Sequence, residues 1–320
     1  MYESIAQFSD AARYYEAYAT KFPQGPKAQD ALYNAVLLRV TAGDTAPAVS
    51  DGQDYVRRFP RTDVTDDVYF LIGKAYEAGQ DWTNAANTYR EFIRRTHDND
   101  RKAEAQCRLG QVLLHANDKR GADAAFDAAL ALGRRNAGSM HDGLYYSAQA
   151  RYLQGDAVLA EFAAITIEGD VQTLAARLQH KMQLLTRAAG VYGEVVEFHV
   201  AEWVTAALFQ IGHIYEDFAE SLRNAPIPPE IHTDEERQSY QDQLAGFVVP
   251  VEDRALEAYT GGYQKAIELH IYNDWTAKLH EALTRLNDVE FPPLRDIGGA
   301  IVANAPLPQP QPLESLRRGA

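Results

Sequence analysis

Between residues 67 and 95, apolar side chains recur at intervals of three and four: Tyr69, Ile72 and Tyr76, then Ala85, Tyr89 and Phe92. Each set falls on one face of an α-helix. Gly79 and Asp81 interrupt the pattern between them, so the segment predicts two helices joined by a short turn. From Gly73, Tyr76 lies at +3, Ala85 at +12 and Tyr89 at +16. The same offsets return from Gly110, with Leu113, Ala122 and Phe126, and Ala129 at +19. Upstream, Leu32, Ala35 and Gly43 open a unit whose second helix carries Ala48 and Tyr55 and closes at Phe59-Pro60. Before it, Ala11, Tyr15, Tyr18 and Pro23 match only the second half of a unit, with Tyr2 where a first helix should be ending. An array that starts in mid-pair leaves an apolar face needing a partner. The expectation is therefore a piece of a longer protein, or an N-terminal helix docked on another subunit.

Beyond about residue 135 the pattern loosens. Leu144, Tyr145, Ala148 and Tyr152 start a first helix, which Gly155-Asp156 is expected to turn. After Gly169-Asp170 a long pattern runs from Val171 to about Phe198, with Leu174, Leu178, Met182, Leu185, Ala189 and Tyr192 on one face. Leu208, Ile211, Gly212 and Tyr215 restore the first-helix signature. Pro226, Pro228 and Pro229 break the helix, since proline removes a donor and fixes φ. Thr233, followed by Glu235 and Glu236, predicts an N-cap with acids on the first turn. Its helix should reach about Gly246, with Pro250 as a kink or a new start. Ala255, Tyr259, Tyr263 and Ala266 then make a second-helix face, and Trp275, Leu279 and Leu283 a last helix. From Phe291 the chain becomes proline-rich, and 306–312 reads as an extended polyproline-type tail. The resulting division is a repeat array over 1–135, looser repeats with a long helix over 136–224, a helical segment over 225–290 and the tail over 291–320.

These spacings resemble the tetratricopeptide repeat family, across roughly residues 2–130 and again near 205–222. The fold class this implies is all-α: a right-handed solenoid of helix–turn–helix units, with longer irregular helices toward the C-terminus. Strings such as Tyr-Tyr-Glu-Ala-Tyr-Ala-Thr-Lys-Phe-Pro (14–23), Tyr-Val-Arg-Arg-Phe-Pro (55–60) and Ala-Leu-Tyr-Asn-Ala (31–35) look like envelope proteins of Gram-negative bacteria. The types are the outer-membrane assembly lipoprotein and the periplasmic coordinator of the Tol system. In the C-terminal third, Ala-Pro-Ile-Pro-Pro, Glu-Glu-Arg-Gln-Ser-Tyr, Val-Glu-Asp-Arg-Ala-Leu-Glu-Ala-Tyr and Tyr-Asn-Asp-Trp-Thr look like myxobacterial tetratricopeptide proteins associated with gliding motility.

The resemblance implies a scaffold whose concave face, lined by first helices, receives peptides or partner domains. Carried over residue by residue, the groove positions are Phe70, Lys74 and Glu77, then Cys107, Gln111 and Leu114. In the other units they are Tyr33 and Leu37; Tyr145, Gln149 and Tyr152; and Phe209, His213 and Glu216. Aromatics at the first position in four of the five units would form a ladder across the groove, available to a partner. The competing reading packs those rings against the preceding repeat. Lys74 alone does not make a cationic clamp for a C-terminal carboxylate.

Charge and composition narrow the partner class. The 320-residue chain carries a formal net charge of −14 and a pI near 5.1. That disfavours general affinity for nucleic acid or anionic membrane, which needs clustered Lys and Arg. Cys107 is the single cysteine, so neither an intramolecular disulfide nor a cysteine zinc site is possible. No apolar run reaches the ~18 residues of a membrane span, and Met1-Tyr2-Glu3-Ser4 has no signal-peptide character.

No motif for catalysis, a cofactor or a metal emerges. The sequence lacks a His-Glu-x-x-His pair, a nucleophile elbow, a phosphate-binding loop and a dinucleotide fingerprint. His97-Asp98-Asn99-Asp100 has the acidic spacing of a calcium loop without its glycine or distal glutamate, and reads instead as a capped turn. Around Thr62–Asp67, Thr65 or Asp63 is expected to cap the next helix. Trp203, Trp275 and the Tyr259/Tyr263 pair read as core. The expected function is a non-catalytic protein-binding scaffold in the periplasm or envelope, with the cytoplasm as the alternative compartment. A rigid spacer in a longer solenoid and a metal-binding helical-repeat enzyme are the competing readings.

Overall fold

The computed structural model describes residues 7–62 and 64–293. Tyr2, Asp63 and the proline run 306–312 therefore lie outside the described residues, and with them the readings placed there. Within them the chain forms twelve α-helices and no strand. They are α1 (Phe8–Lys21), α2 (Ala28–Ala42), α3 (Thr45–Arg58), α4 (Thr65–Ala78), α5 (Trp82–Arg95), α6 (Asn99–His115), α7 (Lys119–Asn136), α8 (Asp142–Ala163), α9 (Val171–Val196), α10 (Ala201–Arg223), α11 (Asp234–Glu268) and α12 (Asp274–Leu286). The all-α repeat architecture is thus the one the spacing predicted.

Successive helices pack as antiparallel pairs, α2 with α3 and onward to α10 with α11, and each pair packs on the next. First helices also lie side by side: α2 against α4, α6 against α8, α8 against α10 and α10 against α12. The motif glycines explain how the pairs close. A Cβ at Gly73 would lie 2.7 Å from the ring of Tyr89, one at Gly110 2.3 Å from Phe126, and one at Gly155 or Gly212 2.5 Å from Tyr192 or Tyr259. Each bulky ring of a second helix therefore rests on bare first-helix backbone.

Turns are sharpened by side-chain caps. Asp81, Asp98, Asp118, Asp170 and Asn273 each accept an amide from the first turn of the helix they open, and Thr233 with Glu236 forms a full capping box. Thr65 is not a cap. It is buried as the first residue of α4, donating to the Phe59 carbonyl and accepting from the Thr62 amide, so that it ties the preceding loop down.

Helix length changes in mid-array: α1 to α7 have 14 to 18 residues, whereas α8 to α11 have 22 to 35. Three expectations fail here for physical reasons. Gly155-Asp156 does not turn α8 but lies inside it, because the missing Cβ admits Tyr192 and the Asp156 carboxylate takes its hydroxyl at 2.7 Å. Met182 is exposed, and Lys181 takes the buried place beside it. Its ammonium stands 4.3 Å over the Phe162 ring and donates to the Ile165 carbonyl. Nor does α11 stop at Gly246. It runs through Pro250, where both residues are exposed and the carbonyl that loses its donor can turn to water. The last described helix, α12, buries Leu279, Ala282 and Leu283 and exposes Asp274, Lys278, Glu281 and Arg285.

Candidate functional site

The predicted groove residues all sit on first helices, but they meet different fates. Phe70 is buried, its ring tilted against those of Tyr89 at 5.8 Å and Phe92 at 5.0 Å, with the guanidiniums of Arg101 and Arg108 over it. It is core to its pair and offers no surface. Tyr33 is half-buried, edge-on to Tyr55. Cys107 is fully buried, with its thiol 3.4 Å from the Gln149 carbonyl oxygen. Burial pushes that thiol up to about 12.

Toward the C-terminus the rings do form a ladder, and they form it with one another. Tyr145 packs on Trp203 at 5.4 Å, Trp203 on Tyr152 at 5.0 Å, Tyr152 on Trp275 at 6.2 Å and Trp275 on Phe209 at 5.6 Å. His213 stacks on Phe209, and the Lys278 ammonium lies 4.1 Å over Trp275. Tyr152 and Trp203 are buried, while Tyr145, Phe209 and Trp275 are half-buried.

The groove acids are committed as well. Glu77 accepts the Tyr89 hydroxyl at 2.5 Å and lies 3.5 Å from Arg108 of α6. Glu216 accepts the Tyr259 hydroxyl and a bidentate pair of bonds from Arg285 of α12. Burial first, and then the neighbouring carboxylate, raises both tyrosines well above the ordinary phenol range. Each acid thus joins its own pair and the next first helix.

Lys74 and Gln111 remain open. With Glu77, Ala78, Trp82, Arg108, Val112 and His115 they line a hollow of about 390 Å³ between the ends of α4 and α6. Trp82 and His115 stack at 4.5 Å as one wall. Glu77 and Glu104 engage Arg108, whereas no ion pair or hydrogen bond engages the Lys74 ammonium among the described residues. A wider hollow, about 1050 Å³, lies where the short helices meet the long ones, between α7, α8 and α9. It is lined by the apolar Leu153, Val158 and Val191 and by the charged Lys119, Asp123, Asp127, Glu161 and Arg187 among others.

Groups of three or more His, Cys, Asp or Glu side chains able to hold a metal are absent among the described residues. The cluster that suggested one is occupied by backbone. Asp98 accepts from the amides of Asp100 and Arg101, and Asp100 from those of His141 and Gly143, binding the turn before α8 to the start of α6.

Sequence reasoning missed the cationic partners of the groove. The pairings of Arg108 with Glu77 and of Arg285 with Glu216 carried no signal because each joins different units. Trp203 and Trp275 read as core, and the structure adds that they link the rings of α8, α10 and α12. An acid four residues after the motif glycine, with a tyrosine on the return helix, marks the clasps at Glu77 and Glu216, whereas Tyr192 uses Asp156, one residue after Gly155.

Residues 4–116 match the YfiO family model, described as an outer membrane lipoprotein. The match covers the N-terminal units and the hollow between α4 and α6. Among curated proteins nothing matches the chain. The likeness to an envelope tetratricopeptide protein is thereby borne out for this part of the chain, and the likeness to gliding-motility proteins finds no support. No described helix is long and apolar enough to cross a membrane.

Proposed function

We propose that this chain is a protein-binding scaffold of a bacterial envelope complex, engaging a partner through the first-helix face, with the hollow between α4 and α6 as its most accessible part. The observation that carries the reading is the Lys74 ammonium, uncommitted beside Gln111 and the Trp82–His115 wall, inside the stretch that matches an outer membrane lipoprotein family. A cation, an amide and an aromatic wall suit a peptide segment with a carboxylate side chain and an apolar neighbour. Glu77, the carboxylate that lines the hollow, is held by Arg108 and the Tyr89 hydroxyl, as suits a structural role. The periplasm is the compartment that fits an outer-membrane relative, and motility is not needed to explain any feature.

The test is recovery of partners from envelope extracts with Lys74→Glu and Gln111→Arg in the full chain. Loss of a stoichiometric partner, with the helical content and melting unchanged, is expected. Full recovery with both substitutions would overturn the assignment of the hollow. A rigid spacer is the second reading, and the clasps at Glu77 and Glu216 favour it, since each stiffens the joint between neighbouring units. A spacer would show the same hydrodynamic length and no partner lost on either substitution.

A further inference from the structure

The wider hollow, about 1050 Å³, is flanked by the second helices α7 and α9, which both pack on α8 between them. The hollow at Lys74 lies between first helices, so the two occupy different parts of the array. On α8, Ala157, Ala160 and the C-cap Ala164 line the wider hollow and are exposed. Their spacing of three and four puts them on one face of the helix. Side chains this small let the backbone of a second segment come close. Leu114 of α6, exposed as well, adds a larger apolar contact. From Leu153 to Ala164 the lining extends about 16 Å at ~1.5 Å per residue, room for several residues of chain rather than for one side chain.

The charges around this apolar face do not balance. Two of the lining cations are spent: Arg151 holds Glu194 at 2.7 Å, and Arg187 stands 3.6 Å from Glu161. Asp123, Asp127 and Asp156 have no cationic partner among the described residues, against Lys119 alone. Asp127 and Asp156 take neutral donors instead, Gln154 at 2.9 Å and the Tyr192 hydroxyl at 2.7 Å. Such a bond leaves a carboxylate its charge and further lone pairs. Burial holds the Asp156 carboxyl above its ordinary value, a cost that a nearby cation would relieve. A second copy of the chain is a poor occupant, because it brings a formal charge of −14 to a face already rich in acids. A basic segment is complementary to it.

We propose that the hollow between α7 and α9 docks a basic segment of another protein, its lysines or arginines on Asp123 and Asp127 and its small apolar side chains on the alanine face of α8. The scaffold then has two docking places of opposite preference. The first-helix hollow offers a cation, Lys74, and the second-helix hollow offers acids. The second does not depend on the first.

The test uses the full chain and a labelled peptide of lysine, alanine and leucine, about 12 residues long to span the lined stretch of α8. Fluorescence anisotropy is read at about 0.15 M salt, where charges more than about 8 Å apart are largely screened. Saturable binding is expected, and none by the same peptide with glutamate in place of lysine. Asp123→Asn together with Asp127→Asn should weaken binding about tenfold or more. Glu257→Gln together with Glu268→Gln removes the same charge from α11, which lines no part of the hollow, and should change binding by less than about twofold. Ala160→Trp, at an exposed helix position, fills the alanine face and should also weaken binding about tenfold or more. Circular dichroism melting controls for folding in each variant. No saturable binding of the lysine peptide would overturn the proposal. So would a loss in the α11 variant equal to that in the α7 variant, or binding indifferent to Ala160→Trp. Lys74→Glu should leave peptide binding unchanged, so this hollow and the one at Lys74 stand or fall separately.

Discussion

Tyr259 donates its hydroxyl to Glu216 at 2.8 Å, across the joint between the second helix α11 and the first helix α10. Tyr89 and Glu77 repeat the bond in the second full unit. In both, the acid lies four residues after the glycine that seats the tyrosine ring. Where the ring is Phe126, which has no hydroxyl, the corresponding residue after Gly110 is Leu114. Gly155 seats Tyr192 with Leu159 at that position, and Asp156, one residue after the glycine, accepts the hydroxyl instead. Each of these buried phenols finds a carboxylate near its glycine, which the buried phenyl does not need.

Tyr259→Phe should accordingly destabilise the chain, by about 1–2 kcal/mol, the value of a hydrogen bond to a charged group less the pairing with Arg285 that Glu216 keeps. Adding Glu216→Leu should cost less in the Tyr259→Phe background than in the unaltered chain. Urea denaturation of the two single variants and the double variant gives the coupling directly. Strictly additive losses would show that the two groups do not act as a pair.

The glycine contacts separate two kinds of glycine that look alike in sequence. At Gly110 an added Cβ meets Phe126 ring carbons at 2.3, 2.5 and 2.7 Å, so Gly110→Ala should destabilise by about 1–3 kcal/mol. At Gly190, inside α9, the same atom meets nothing within 4 Å. Gly190→Ala should therefore stabilise by up to about 1 kcal/mol through helix propensity alone. Opposite shifts in the denaturation midpoint are the expected outcome.

Those contacts also show how much of the array could be read from the chain. Gly73 and Tyr89, like Gly110 and Phe126, stand sixteen residues apart because short helices and short turns hold the offset constant. The same contact joins Gly155 to Tyr192 and Gly212 to Tyr259, separated by thirty-seven and forty-seven residues. Longer helices carry the extra residues, so local spacing no longer reports the pairing, and Gly155 read as a turn. The site was legible in part for a related reason. Helical period places Phe209 and Tyr145 on first-helix faces, but Trp203 and Trp275, which pack between them, come from non-local contacts that no period encodes.

Cys107 should be inert while the chain is folded. It is fully buried on α6, and burial holds its thiol near 12, so the reactive thiolate is scarcely populated at neutral pH. Iodoacetamide at pH 7.5 should leave it unmodified in the native protein and label it fully in concentrated guanidinium. Mass spectrometry reads the difference. Rapid native labelling would mean that α6 opens locally against α8, where Gln149 covers the thiol.

Arg39 and Asp51 should make the stability of the N-terminal units depend on pH. The Arg39 guanidinium reaches Asp51 at 3.1 Å, Glu16 at 2.6 Å and Asp44 at 3.4 Å, joining α1, α2 and α3 through one cation. Burial of Asp51, and then the neighbouring Glu16, outweigh the pull of Arg39 and raise the carboxyl to about 6. A carboxyl raised above its unfolded value of 3.8 binds its proton more tightly in the folded chain. Its contribution to stability is therefore greatest below about pH 4 and is lost progressively as the pH rises through about 6. Asp51→Asn cannot titrate, so the stability of the unaltered chain relative to this variant should fall between pH 4 and pH 6.5 and then level off. Urea midpoints for both proteins across that range measure it. A stability difference that rises with pH would show instead that Arg39 dominates and holds Asp51 ionised in the fold.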